Sequence, residues 1–273
     1  MTQLTIIRNA IYANGSQIKA LPLKITIAAT AAALCVALAG HAAAEPGFGN
    51  KVYDPYVRNG LTEVEVRSAR LSGGSDGGYA TTVVELEKGL SDRVSLALLG
   101  EFEKHPGEAA KLDSFGLEGV VYLGQIPKFG VDTGLYLEYE QRLHNESGVG
   151  EAKLLFAKNI DRFQGLLNLI AQHPFTNRPG ENVTQFGYAA SGTWELTPGL
   201  RAGAETFGNL GTDHLMGGRN ALYVGPTVQW ETRPDWLRGG EFELQASYLF
   251  ASGVARTYTD GQMRLNLEFE RRF

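Results

Sequence analysis

Gln262-Met-Arg-Leu-Asn-Leu-Glu-Phe-Glu-Arg-Arg-Phe273 closes the chain. Met263, Leu265, Leu267 and Phe269 alternate with Arg264, Asn266, Glu268 and Glu270. Successive side chains leave a strand on opposite sides, so this period of two predicts a strand with one apolar and one polar face. Similar alternation runs through Leu61–Arg70, Tyr79–Lys88, Arg93–Glu103, Ser114–Leu123 and Val131–Glu140. It returns in Val183–Glu195, faintly in Leu200–Phe207, and again in Ala221–Glu231 and Glu241–Phe250. Glu151–Lys158 and Phe163–Gln172 carry apolar residues on both faces, a pattern that a helix would also accept. Counted as strands, they bring the total to twelve.

The connections sharpen this reading. Long polar segments (Ser72–Gly78, Lys104–Lys111, Gln141–Gly150, His173–Asn182, Asn209–Asn220, Ser252–Asp260) alternate with shorter ones (Gly89–Asp92, Gly124–Gly130, Asn159–Arg162, Thr197–Gly199, Thr232–Gly240). Long loops on one rim and tight turns on the other are the pattern of an outer-membrane barrel, whereas a soluble sandwich has no reason to keep that order. The sequence therefore predicts an all-β fold, a closed antiparallel transmembrane β-barrel of about twelve strands over residues 61–273. An even strand count puts both barrel ends on the short-turn, periplasmic side. The terminal stretch resembles the C-terminal strand of bacterial outer-membrane barrels. That resemblance implies that Phe273 is an assembly signal read by the barrel-assembly machinery.

The other end of the chain agrees. Residues 1–44 contain Arg8, Lys19 and Lys24 and no acid, then an apolar run from Ile25 to Gly40, then Ala42-Ala43-Ala44. This is the layout of a cleaved secretory signal peptide, and the apolar run is short of the roughly twenty residues of a helical span. Cys35 is the only cysteine; Leu34 before it argues against lipoprotein processing, and the exported chain would hold no thiol. Of 25 Lys+Arg, three fall in the leader, leaving 22 against 30 Asp+Glu. So acidic a chain excludes nucleic acid as a partner. Residues 45–60, rich in Gly, Pro and Tyr, are expected as a periplasmic lead before the barrel. Trp194, Trp230 and Trp236 fall beside short turns, where indoles prefer the membrane boundary, and are expected to form a girdle against outer-membrane lipid.

Function is written more faintly. The polar faces place Glu63, Glu65, Glu85, Glu87, Glu268 and Glu270 toward the short-turn end, and Glu101, Glu103, Glu138 and Glu140 toward the opposite mouth. Arg67, Arg93, Lys153, Arg201 and Arg264 are the lumen cations expected to face them. One consequence would be a salt-bridged interior; another is a lumen whose acid excess favours cations or polar neutral solutes. His105, His144, His173 and His214 are scattered over the long loops, with no paired metal-ligand spacing. No metal, cofactor or catalytic residue is assigned. Outer-membrane phospholipase A is similar in strand number. Its His and Ser lie two apart on one strand, however, whereas His144 and Ser147 are three apart in a loop. The chain is read as a non-enzyme.

Lys51-Val-Tyr-Asp-Pro-Tyr-Val57 before Glu63-Val-Glu-Val66, and Glu87-Lys-Gly-Leu-Ser-Asp-Arg-Val94, resemble segments of an uncharacterised group of proteobacterial outer-membrane proteins. The second is also similar to transporters assigned to aromatic degradation pathways. The resemblance implies an outer-membrane barrel and carries over no catalytic residue. The leading expectation is a passive channel for small polar or cationic solutes. The alternatives are a non-conducting structural or adhesion-type barrel with its function in the long loops, and third a lipid hydrolase.

Overall fold

The computed structural model describes residues 48–143, 147–178, 180–217, 220–234 and 239–272. The leader at 1–44, His144, Trp236 and Phe273 lie outside the described residues. Twelve strands follow in order: β1 (Leu61–Ser72), β2 (Ala80–Gly89), β3 (Val94–Lys104), β4 (Lys111–Ile126), β5 (Val131–Arg142), β6 (Val149–Ile160), β7 (Phe163–Pro174), β8 (Gln185–Thr197), β9 (Leu200–Thr212), β10 (Ala221–Thr232), β11 (Glu241–Gly253) and β12 (Gly261–Arg272). Each pairs antiparallel with its sequence neighbours, and β12 pairs with β1 to close the barrel. Closure leaves no sheet edge, so the strand backbone is satisfied within the wall, as a membrane demands.

Both ambiguous segments are strands. Elsewhere the ladder outruns the side-chain pattern toward the long-loop end. β4 begins at Lys111, β9 continues through Gly208-Asn-Leu-Gly211 to Thr212, and β11 runs to Gly253. A ladder bonds backbone to backbone, so it persists where small and polar residues blur the alternation. The connection between β10 and β11, 233–240, is as long as several on the opposite rim.

The wall sorts its residues by parity. Leu86, Leu98, Phe115, Leu117, Leu137, Val224, Phe250 and Met263 are exposed on the outer face. An apolar band of that extent suits lipid and not water. Trp194 and Trp230 stand half-exposed on the same face near short connections, next to Phe163 and Phe242. The inner face is buried and largely polar, with two apolar clusters. One joins Ala189, Phe207, Tyr223 and Leu249; the other joins Tyr53, Val120, Tyr136 and Leu155.

Tyr53 belongs to no strand, and its burial exposes a departure from the sequence reading. The lead does not stay on the periplasmic side. Residues 48–58 run inside the barrel, from Phe48 stacked on Tyr79 near the long loops down to Arg58 beside Glu270 at the short-turn end. Eleven residues reach at most about 40 Å, enough to cross a hydrocarbon core of about 30 Å. Gly134 makes room for this passage: a Cβ there would come within 2.8 Å of Pro55 Cβ.

A charge on the lipid face should be costly. Leu117→Arg, near the middle of β4, is expected to destabilise the folded barrel by about 2–4 kcal/mol, while Leu117→Val should cost far less. Urea unfolding in phospholipid vesicles measures both; equal stability for the Arg variant would mean that this face does not meet hydrocarbon.

Candidate functional site

Strand register builds the site. Residues paired across neighbouring strands share a face, so one row can be followed around the wall. Starting at Glu241, the pairings run through Glu270, Glu63, Glu87, Ala97, Glu118, Glu138 and Glu151 to Gln172. A second row alongside it runs Glu231, Glu243, Glu268, Glu65, Glu85, Leu99, Gly116 and Glu140. Barrel strands are staggered, so such rows climb. The first leaves Glu241, the first residue of β11 at the short-turn end. It continues past Gln172 and Gln185 to Thr212, the last residue of β9 at the long-loop end. Glutamates thus form a sloping file along most of the inner wall.

Like charges placed side by side repel, and burial raises the cost. Cations of the wall answer part of it. Arg67 Nη1 donates to Glu85 at 2.6 Å and to Glu65 at 3.0 Å, and Lys153 Nζ lies 2.8 Å from Glu151. The lead supplies more. Lys51 Nζ sits 2.5 Å from Glu65 and 3.7 Å from Glu63, and Arg58 Nη1 sits 2.6 Å from Glu270. The Lys51 ammonium thus sits between two carboxylates, closer to Glu65 than to Glu63.

Aromatic and amide groups seat the lead. The Tyr53 ring lies 4.9 Å from Lys51 Nζ and 4.2 Å from Lys153 Nζ, which is also 4.0 Å from the Tyr136 ring. Cation–π attraction is strongest when desolvated, as here. Asn168, fully buried on β7, works as a clamp. Its Oδ1 accepts the Tyr53 N–H and its Nδ2 donates to the Tyr53 carbonyl, both at 2.8 Å. Lys153 Nζ donates to Asn50 and Arg67 Nε to the Gly49 carbonyl. The lead adds no rung to the β-ladder.

The remaining expected residues fall as follows. Glu101 accepts from Thr81 Oγ1 at 2.6 Å, Glu138 accepts from Tyr136, and Glu140 lies 3.5 Å from Arg142. Glu103 is half-buried opposite Thr81. Arg264 lies against the Phe207 ring, 3.7 Å from Glu205. Arg201 donates to Thr193 and to the Arg162 carbonyl, away from both glutamate rows. Arg93 stands exposed in the β2–β3 turn and is not a lumen cation, because the strand starts one residue later than its alternation suggests. Of the pair His144 and Ser147, only Ser147 is among the described residues. His105 packs on Tyr79, His173 meets Thr184, and His214 lies beside Asp213, three separate places. Glu118, Glu151, Glu231, Glu241 and Glu243 join the rows without having been singled out as lumen residues, although strand parity already put them in phase. Lys51, Tyr53 and Arg58 gave no periodic signal. Two glutamate triads have carboxylate oxygens within 4.8 Å of one another: Glu63, Glu65, Glu268 and Glu85, Glu87, Glu118.

No protein-family model and no curated protein sequence matches the chain. Among solved structures it is similar to the KdgM porin, with 9% identity over 77% of this chain and 99% of that one, TM-score 0.49. LpxR from Salmonella typhimurium matches with 13% identity over 77% and 100%, TM-score 0.41. Pseudomonas aeruginosa OprD matches with 10% identity over 78% and 66%, TM-score 0.37. With its closed twelve-strand wall, apolar outer band and polar interior, the chain is a β-barrel of the bacterial outer membrane.

The Asn168 clamp can be tested directly. Asn168→Ala removes two hydrogen bonds and orphans a buried N–H, an effect of about 2–3 kcal/mol on the seating of the lead. Trypsin should then cut after Lys51 at least ten-fold faster than in the wild-type barrel, with folding checked by heat-dependent gel mobility. Unchanged protection would show that Asn168 does not hold the lead.

Proposed function

We propose that this protein is an outer-membrane channel for small cationic or polar solutes, held closed in this state by its own lead segment. The observation that carries the reading is the mismatch between wall and lead. The wall lines a route between the two rims with glutamates, and two of the cations that answer them, Lys51 and Arg58, ride on a segment outside the ladder. Withdrawing that segment would break ion pairs and the Asn168 clamp but no strand pairing. It would leave an acidic lumen, which concentrates cations and lowers the cost of their passage.

A second reading has its own support. Tyr136, Tyr223, Phe207, Leu155 and Leu249 are all buried inside the wall and fill part of the interior besides the lead. A barrel plugged in this way would be structural, with its function in the long loops.

Planar-bilayer recording separates the two. Wild-type protein should conduct weakly or rarely, and a chain lacking residues 48–58 should open readily with cation preference. The preference should fall with salt, since a carboxylate's field reaches only about 10 Å at 0.1 M. In the open form, replacing Glu101, Glu103, Glu138 and Glu140 by Gln should move the zero-current potential in a salt gradient toward anions. Silence from the shortened, correctly folded barrel would favour the plugged, structural reading.

A further inference from the structure

The two glutamate triads are not equivalent. In the first, the Lys51 ammonium lies against Glu63 and Glu65. In the second, Arg67 reaches only Glu85, through Oε2. No described cation lies within ion-pair distance of Glu87 or Glu118. Glu118 Oε2 accepts the Tyr136 hydroxyl at 2.8 Å and the Tyr53 hydroxyl at 3.4 Å. The other oxygens, Glu85 Oε1 and Glu118 Oε1, are buried without a hydrogen-bond partner, on residues only 2% and 1% exposed; Glu63 Oε1 and Glu65 Oε1 of the first triad also lack one, but those two carboxylates have the Lys51 ammonium beside them. Between Glu87 and Glu118 in the same row stands Ala97, whose methyl group offers the two carboxylates no polar partner.

Buried carboxylate oxygens without donors call for a positive charge. We propose that Glu85, Glu87 and Glu118 bind a hard divalent cation, calcium by size and donor set, on the inner wall beside the lead. All three donors are oxygens, which selects calcium, magnesium or manganese over softer metals. Oxygens within 4.8 Å of one another can share a centre at calcium's 2.3–2.6 Å, and water can fill the remaining positions of its flexible shell. Three carboxylates, with one Arg67 guanidinium shared between Glu85 and Glu65, leave a net negative charge that a divalent ion would offset. The site also touches the lead, because Tyr53 and Tyr136 share Glu118 Oε2 with each other. A bound ion would fix that carboxylate and with it the Tyr53 seat.

The test uses the full chain refolded in detergent, with terbium(III) as a calcium probe excited through tyrosine, since Tyr136 is bonded to a proposed ligand. Terbium emission should appear, be displaced by added calcium, and weaken about ten-fold or more in Glu85→Gln and in Glu118→Gln. Glu181→Gln, in an exposed loop, should leave it unchanged. Ala97→Lys, which puts an ammonium between Glu87 and Glu118 in the row, should abolish it while the barrel still shows its heat-dependent gel mobility. Absence of emission would overturn the site and leave the two carboxylates to share a proton. Emission that survives Glu85→Gln, Glu118→Gln and Ala97→Lys alike would place the ion elsewhere and overturn it equally. Neither outcome bears on whether the barrel conducts, so the site and the channel reading fail separately.

Discussion

Repulsion among the glutamates of the inner wall is the constraint that shapes this molecule. Closing the barrel sets Glu268 and Glu270 of β12 against Glu65 and Glu63 of β1, which already face Glu85 and Glu87 of β2. No choice of rotamer separates six carboxylates on three adjacent strands of one buried face. The sheet cannot solve this by itself, because its own nearby cation, Arg67, is shared between Glu65 and Glu85. The lead resolves it from outside the ladder, bringing one ammonium and one guanidinium to the same three strands. The wall dictates where the lead must run, and the lead in turn makes the acidic wall tolerable.

The same dependence explains which parts of the fold were legible in the sequence. Strands such as β3 and β12 announce themselves because lipid on one side and polar groups on the other enforce alternation. β6 and β7 do not, and the reason is the lead. Leu155 packs inward with Tyr53, Tyr136 and Val120, and Val57 of the lead lies against that cluster; Ile170 and Val52 approach the other apolar cluster. Beside the polar contacts of Lys153 and Asn168, their inner faces carry apolar residues near the lead, which weakens the contrast on which a period of two depends. The ambiguity was itself the imprint of a contact made far away in sequence. The lead gave no pattern of its own. A segment surrounded by wall on all sides has no lipid face, and Lys51 and Arg58 answer to register positions that only closure brings together.

The candidate site was legible in part for the same reason. Parity alone put Glu63, Glu65, Glu85 and Glu87 on one face, and the closing of β12 onto β1 added Glu268 and Glu270. What parity cannot supply is the stagger. That Glu241 and Glu151 belong to one climbing row depends on seven successive strand pairings, from β11 round to β6, each set by turn length and bulges. A sequence read strand by strand separates two mouths, an upper and a lower cluster of acids. The register joins them into a slope.

That slope bears on why the acids are there. For stability alone, the inner wall would be better lined with Gln, Ser and Thr, which hydrogen-bond without repelling, and β10 and β11 are built that way at Gln229, Gln245 and Thr227, next to Glu231 and Glu243. Buried ion pairs seldom repay their desolvation, and unpaired buried carboxylates never do. Glutamates arranged from rim to rim and only partly neutralised by the wall are thus a burden on folding. The lead and a bound cation lighten that burden without removing its cause. Under the proposed channel reading, that cost, borne along one route across the membrane, is what a path for positive charge requires.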